Sequence, residues 1–245
     1  MKLRVSNIDY SYDPGLVKVL NNISFSVNDG EFVSILGPSG CGKSTLLNIL
    51  AGIITENTGE VEVDGGIVSG ISPHFAYMPQ NDLLLPWKSI LDNICLYNEI
   101  HHSKKDVIGK AAELMKRFGL QGCEDKYPNE LSGGMRQRAA FLRTSLCEAD
   151  IYLLDEPFGA LDVITRGEMQ DWLKDICREL HKTVLLVTHD TDEAIYLSDR
   201  IIVLGNAGEG IREEINVPDC TRSREWLFEQ VELRSRIHRI ISSRQ

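Results

Sequence analysis

The stretch Gly37-Pro38-Ser39-Gly40-Cys41-Gly42-Lys43-Ser44-Thr45 fits the spacing G-x-x-x-x-G-K-[ST]. That spacing suits phosphate. Glycines let the backbone curl so that successive N–H groups face phosphate oxygens, with a helix N-terminus behind them. Lys43 then sets a cation beside β- and γ-phosphates, and the Ser44 hydroxyl can reach a magnesium ion. A tight strand-to-helix turn that happens to hold a lysine is the bland alternative. The flanks argue against it: an apolar strand over Phe32 to Leu36 precedes the loop, and an apolar helix over Thr45 to Ala51 follows, with Gly52 as its stop.

Two further groups could work on a phosphate held there. Asp155 and Glu156 close the apolar run Ile151 to Leu154, at the carboxyl end of a strand, where α/β sheets carry ligand chemistry. Beside a phosphate-binding loop, the first acid is placed to hold magnesium and the second to orient or deprotonate an attacking water. His189 follows another buried run, Val184 to Val187. A lone histidine is more often structural, but this position on a neighbouring strand favours a γ-phosphate contact. Ser132-Gly133-Gly134 opens a helix over Arg136 to Leu146 and makes an anion-binding terminus, a weak signal alone. Tyr12, in the turn-rich loop Tyr10 to Gly15, either stacks on a base or covers a sheet edge.

The elements that must position these groups follow from periodicity. Leu3, Val5 and Ile8 alternate with polar residues, as do Ile23, Phe25 and Val27, which marks half-buried antiparallel strands. Val61 and Val63 mark a short strand before the turn Asp64-Gly65-Gly66, and Phe75 to Met78 a further one. Val107, Ala111, Leu114, Met115 and Phe118 recur at helical spacing as core, with Gly119 as the stop. Ile201 to Leu204 reads as the last strand of the core, and Glu225 to Ser242 as one basic, partly amphipathic helix. Leu83-Leu84-Leu85-Pro86-Trp87 is too short for a helix and is either locally buried or a docking surface.

Composition narrows the class. The chain has 245 residues, 42% hydrophobic and 25% charged, enough for one large α/β domain or a domain with a subdomain. A net charge of −10 argues against a nucleic-acid binder. No apolar run is long enough to span a bilayer, and the N-terminus lacks a signal-like apolar segment. Six cysteines without C-x-x-C pairs read as free thiols of a reducing compartment.

Assembled in this order, the motifs resemble the nucleotide-binding subunit of an ATP-binding cassette (ABC) transporter over about residues 3 to 215. GPSGCGKS (37–44) resembles the Walker A motif, LSGGM (131–135) the family signature, IYLLDEP (151–157) Walker B with its glutamate, and GALD (159–162) the D-loop. The resemblance implies an α/β P-loop NTPase core with a mostly parallel sheet, an N-terminal antiparallel β subdomain and an inserted α-helical subdomain at about 81–150. A helical tail, 216–245, would follow the cassette at 1–215. It implies ATP and Mg2+ as ligands, with Tyr12 on the adenine, Gly37 to Thr45 on the phosphates, and Ser44, Gln80 and Asp155 on the metal. Glu156, His189 and Gln80 would be catalytic. Ser132, Gly133 and Gly134 would cap the ATP held by a second copy, with Asp162 communicating between the sites.

The stretch Gln80 to Leu96 would receive a membrane permease, and an extracytoplasmic binding protein would act indirectly, placing the chain at the cytoplasmic membrane face. The leucine-rich segment with LSGGMRQR and DEPFGALD resembles the nitrate/sulfonate/taurine importer branch. An importer ATPase for another solute, such as a pyrimidine precursor, is the alternative. A stand-alone ABC ATPase of DNA repair or translation would carry coiled-coil insertions or fused cassettes, and a regulatory module without turnover would be expected to lose Glu156. Met135 departs from the glutamine more usual in the signature.

Overall fold

The computed structural model describes residues 1–13, 18–55, 57–101, 107–159, 161–218 and 222–243. Pro14 and Gly15 of the tyrosine loop, Ala160 of GALD and Cys220 lie outside the described residues.

The N-terminal alternation forms β1 (Leu3–Tyr10) and β2 (Leu20–Val27), antiparallel with Val5 opposite Phe25. The next apolar run is β3 (Phe32–Leu36), buried at all five positions, and it leads through the glycine loop into α1 (Lys43–Leu50). After β4 (Thr58–Val63), the two-residue turn Asp64-Gly65 reverses the chain into β5 (Gly66–Ile67). Then come β6 (Phe75–Met78) and four helices: α2 (Ile90–Ile94), α3 (Leu96–Ile100), α4 (Val107–Arg117) and α5 (Gly133–Ser145). The remainder alternates: β7 (Ile151–Asp155), α6 (Val163–Glu179), β8 (Thr183–Val187), α7 (Thr191–Leu197) and β9 (Arg200–Leu204). Last are β10 (Ile211–Asn216), α8 (Arg224–Glu229) and α9 (Val231–Ser242).

The strands make two sheets, β2-β1-β4-β5 and β10-β9-β3-β8-β7-β6. In the larger one β9, β3, β8, β7 and β6 run parallel. Alternation within these buried strands feeds two layers. Val33, Ile35, Leu153 and Leu185 join α1 and the smaller sheet, while Phe32, Leu36, Leu154 and Leu186 join the helices of the other face. Leu46, Leu47, Ile49 and Leu50 are all buried, as expected of a helix held between two sheets. On the other face Trp172 meets Phe118 and Phe141 edge-on, with centroids 4.1 and 4.9 Å apart.

Two sequence expectations change. Ile201 to Leu204 is not the last strand: β10 pairs antiparallel with β9 at the sheet edge. Its sequence, IREEIN, buries only Ile215, so an edge strand wet on one side hides in a polar stretch. The C-terminal segment is two helices rather than one, broken at Gln230, whose ψ of 42° is not helical. Both pack on the helical face through Leu227 and Ile237. Five described cysteines are free thiols.

Candidate active site

Because β3, β8, β7 and β6 are parallel neighbours, their carboxyl ends share one edge. The glycine loop leaves β3, His189 follows β8, Asp155 and Glu156 close β7, and Gln80 follows β6. Residues between 43 and 189 thus meet without any local sequence link.

The loop's shape depends on Gly42. Gly42 caps α1 at a φ of +102°, which strains any residue with a Cβ. A Cβ there would also sit 2.7 Å from Leu20 Cδ2, so that a neighbour would have to shift. Lys43 is buried, and its Nζ donates to the Gly37 carbonyl at 2.8 Å and the Pro38 carbonyl at 2.9 Å. This holds the ammonium inside the loop's curl. Cys41 is buried with Sγ 3.8 Å from the same ammonium. Burial raises its thiol above the ordinary range, and the nearby Lys43 charge pulls the other way. Burial of this kind goes with structural rather than reactive thiols.

Tyr12 remains largely exposed, while its hydroxyl is 2.9 Å from Thr45 Oγ1 and its ring packs edge-on against Tyr10. An exposed aromatic face is thereby tethered at the first turn of α1.

Asp155 is 2% exposed. Burial raises its carboxyl above the usual range; a hydrogen bond with Ser44 and the charge of Lys43 oppose this, and Glu156 adds to it. Its Oδ1 has no hydrogen-bond partner among the described residues. A buried carboxylate with one oxygen unpaired, beside a serine hydroxyl, is a hard-oxygen donor set that fits magnesium. Among the described residues no three His, Cys, Asp or Glu side chains gather as a metal cluster. A Mg2+ ion held by one carboxylate, one hydroxyl and phosphate oxygens needs none.

Glu156 adopts φ +48°, a conformation that costs a non-glycine residue roughly 1–3 kcal/mol and gathers at functional sites. Its N–H donates to the Val187 carbonyl at 2.9 Å, which fixes the turn against β8. Gln80 Nε2 donates to Glu156 Oε2 at 3.2 Å, and His189 Nδ1 lies 3.2 Å from Oε1. One carboxylate thus joins the ends of three strands.

Ser132 and Asp162 stand apart. Among the described residues neither they nor Gly133 and Gly134 bond to the Lys43–Asp155–Glu156 group. Ser132 caps α5 by accepting from Met135 N–H at 3.3 Å, and it is exposed with Gly133. Met135 packs on the helical core, so its side chain leaves the exposed serine–glycine tip clear. Asp162 caps α6, accepting from Ile164 and Thr165 N–H at 3.1 Å each. The Thr165 hydroxyl first, and then these backbone bonds, hold its carboxyl below the usual range.

The apolar segment divides. Leu84 is buried, whereas Leu83 and Trp87 are 61% and 71% exposed. Arg143 donates to the Asp82 and Leu83 carbonyls at 2.6 and 2.8 Å, and Arg136 binds the Asp82 carboxylate at 3.0 Å. The segment after Gln80 is thus strapped to α5, the helix that Ser132 caps. Gln137 ties α5 to the Pro157 carbonyl at 3.1 Å, next to Glu156. Arg136 and Gln137 entered the sequence reading only as part of LSGGMRQR, and Arg143 only by its place in a helix; none was marked as a tie to the segment after Gln80 or to Pro157.

Known proteins share these features. The profile of the ABC transporter family matches residues 20–159. An aliphatic sulfonates import ATP-binding protein of Rhodococcus jostii is 48% identical over 200 residues, covering 82% of this chain and 78% of that protein. A bicarbonate transport ATP-binding protein of a Synechocystis species is 38% identical over 228 residues, covering 91% of this chain and 81% of its own. The fold matches a solved dimeric ATP-binding cassette in a post-hydrolysis state, bound to ADP and phosphate. The TM-score is 0.78 at 31% identity, over 89% of this chain and all of that one.

Proposed function

The chain belongs to the ABC transporter family, as an ATP-binding, ATP-hydrolysing subunit of an importer, and we propose that it works as one of two copies closing over shared ATP. The observation that carries this is that the Ser132–Gly133 tip is exposed and apart from the sheet edge of its own chain. That edge holds Lys43, an Asp155 oxygen with no partner among the described residues, and Glu156 between Gln80 and His189.

In this reading the loop Gly37 to Thr45 wraps the phosphates, and the Lys43 ammonium, held by the loop carbonyls, presents its remaining N–H to the β- and γ-oxygens. Tyr12 stacks on the adenine. Ser44, Gln80 and Asp155 would hold Mg2+, which would neutralise charge on the phosphates. Glu156 takes the proton of the attacking water, and His189 holds the γ-phosphate. The exposed Ser132-Gly133-Gly134 tip of the other copy offers amides and a helix N-terminus to the same phosphate. Asp162, at the start of α6, connects the two sites. The cassette spans 1–215, with the helical part at about 81–150 and the tail at 216–245.

The shared site has a direct test. In a Glu156→Gln background, ATP and Mg2+ should convert the purified chain from monomer to dimer on size exclusion. Ser132→Arg should abolish that dimer and leave nucleotide binding by the monomer within about twofold, because its contact is made only across the interface. A dimer that persists in the Ser132→Arg variant would remove the signature tip from the site.

The exposed pair Leu83 and Trp87 is proposed to meet the permease within the stretch Gln80 to Leu96. Large apolar side chains left open on a rigid strap suit a partner surface. The double change Leu83→Asp, Trp87→Asp should lower uptake into vesicles carrying the assembled transporter by about tenfold or more, with soluble ATPase activity within twofold. Undiminished uptake would place the permease elsewhere. Among the described residues no helix is long and apolar enough to cross a membrane, which suits a peripheral subunit at the cytoplasmic face. The transported solute is proposed to be nitrate, a sulfonate, taurine or a related small solute, delivered by an extracytoplasmic binding protein. The sulfonate and bicarbonate relatives support a small anion.

A further inference from the structure

Behind His189 lies a buried carboxylate that the site above leaves unused. Glu193, in the first turn of α7, is 6% exposed, and Ala194 and Ile195 after it are buried too. Its Oε2 accepts from Thr188 Oγ1 at 2.7 Å, and its Oε1 accepts from Gln170 Nε2 of α6 at 3.2 Å. Thr188 Oγ1 in turn accepts from the Asp190 N–H at 3.0 Å. Both residues flanking His189 are therefore tied to Glu193.

Arg166 completes the group. Its Nη1 lies 3.7 Å from Asp190 Oδ2 and its Nε 4.0 Å from Glu193 Oε1. Its Nη2 donates to the Leu161 carbonyl at 3.2 Å, one residue before Asp162. Arg166 and Glu193 line the same cleft of about 40 Å³ as Glu156 and His189. Arg224 of α8 anchors the far side by donating to Gln170 Oε1 at 2.8 Å. Burial pushes the Glu193 carboxyl above its usual range, so the group is held at a cost that an apolar side chain would avoid. Buried polar groups of this kind are weak sources of stability, and their best-attested use is to enforce one arrangement.

We propose that Glu193 is a positioning residue for His189: with Arg166 it fixes the 188–190 loop against the start of α6, and so links the histidine to the Asp162 segment. The inference rests on the reading of His189 as the γ-phosphate contact. In this inference Glu193 acts through the loop, by its bond to Thr188, rather than on the nucleotide or the attacking water.

The test is steady-state ATP hydrolysis by the purified full chain, with a double-mutant cycle. Glu193→Ala should lower kcat by about tenfold or more with KM for ATP within twofold. Thr188→Val, which removes only the hydroxyl and keeps the shape, should do the same if the alanine variant does not fold. Glu193→Gln keeps an acceptor for Thr188 and should recover most of the rate. In a His189→Ala background, Glu193→Ala should cause no further loss, since the two changes remove one function. Full activity of Glu193→Ala and Thr188→Val, or a loss that multiplies with that of His189→Ala, would overturn the inference and leave the reading of His189 standing. Full activity of His189→Ala itself would overturn both.

Discussion

Glu156→Gln should lower ATP turnover by about 10²- to 10⁴-fold, the range that a positioned general base supplies. The change is small in shape and total in basicity. Glutamine keeps a carbonyl oxygen that can accept from Gln80 Nε2, the bond that now runs at 3.2 Å to the carboxylate. The strained turn at φ +48° and its bond to the Val187 carbonyl belong to the backbone, so they survive the substitution. Lys43, Ser44 and Asp155 are untouched, which leaves phosphate and metal binding in place. Single-turnover hydrolysis should therefore fall while ATP affinity holds, and the ATP-bound dimer should accumulate because its exit is blocked. A variant that turns over ATP at the parental rate would strip Glu156 of its role and shift attention to His189.

The readable parts of this molecule are those whose physics is local. Ile151 to Leu154 and Val184 to Val187 are buried on both faces, so each appears as an unbroken apolar run with a candidate acid or histidine just beyond it. The glycine loop is legible for the same reason: spacing alone dictates how the backbone must curl. Legibility fails where burial is shared across distance. Only Ile215 of β10 is buried, because a neighbour covers one side, and nothing in IREEIN announces that. In α6 the buried Gln170 and Lys174 interrupt the apolar stripe, since they bond to Glu193 and to the Arg222 carbonyl. Leu83 and Leu84 are adjacent leucines with opposite fates, decided by how Arg143 holds the loop.

The site divides in the same way. The motifs mark which residues could do chemistry, but the bond between Gln80 and Glu156 spans 76 positions and required the sheet order to become visible. Glu193 is hidden for a further reason. It lies four residues beyond His189, on a helix whose buried neighbours are mostly apolar, where an acid looks like a surface residue until its partners on α6 are placed.

Lys43→Ala is expected to weaken ATP binding by about a hundredfold or more, corresponding to one or two charge-assisted hydrogen bonds of roughly 1.5–3 kcal/mol each. The ammonium is buried, with its Nζ already shared between the Gly37 and Pro38 carbonyls. Its desolvation is therefore met by the folded loop before any phosphate arrives, which leaves a preorganised cation. Alanine removes that cation, and it also leaves two inward carbonyls beside an anion they repel. Lys43→Arg should not rescue binding, because a planar guanidinium cannot occupy the curl that a compact ammonium fills. The loop's amides remain, so residual weak binding should survive with a flatter dependence on salt. Calorimetric titration with ATP and Mg2+, beside a thermal melt to confirm folding, measures each of these. Unchanged affinity in a folded Lys43→Ala chain would mean that the phosphates are held somewhere other than the 37–45 loop.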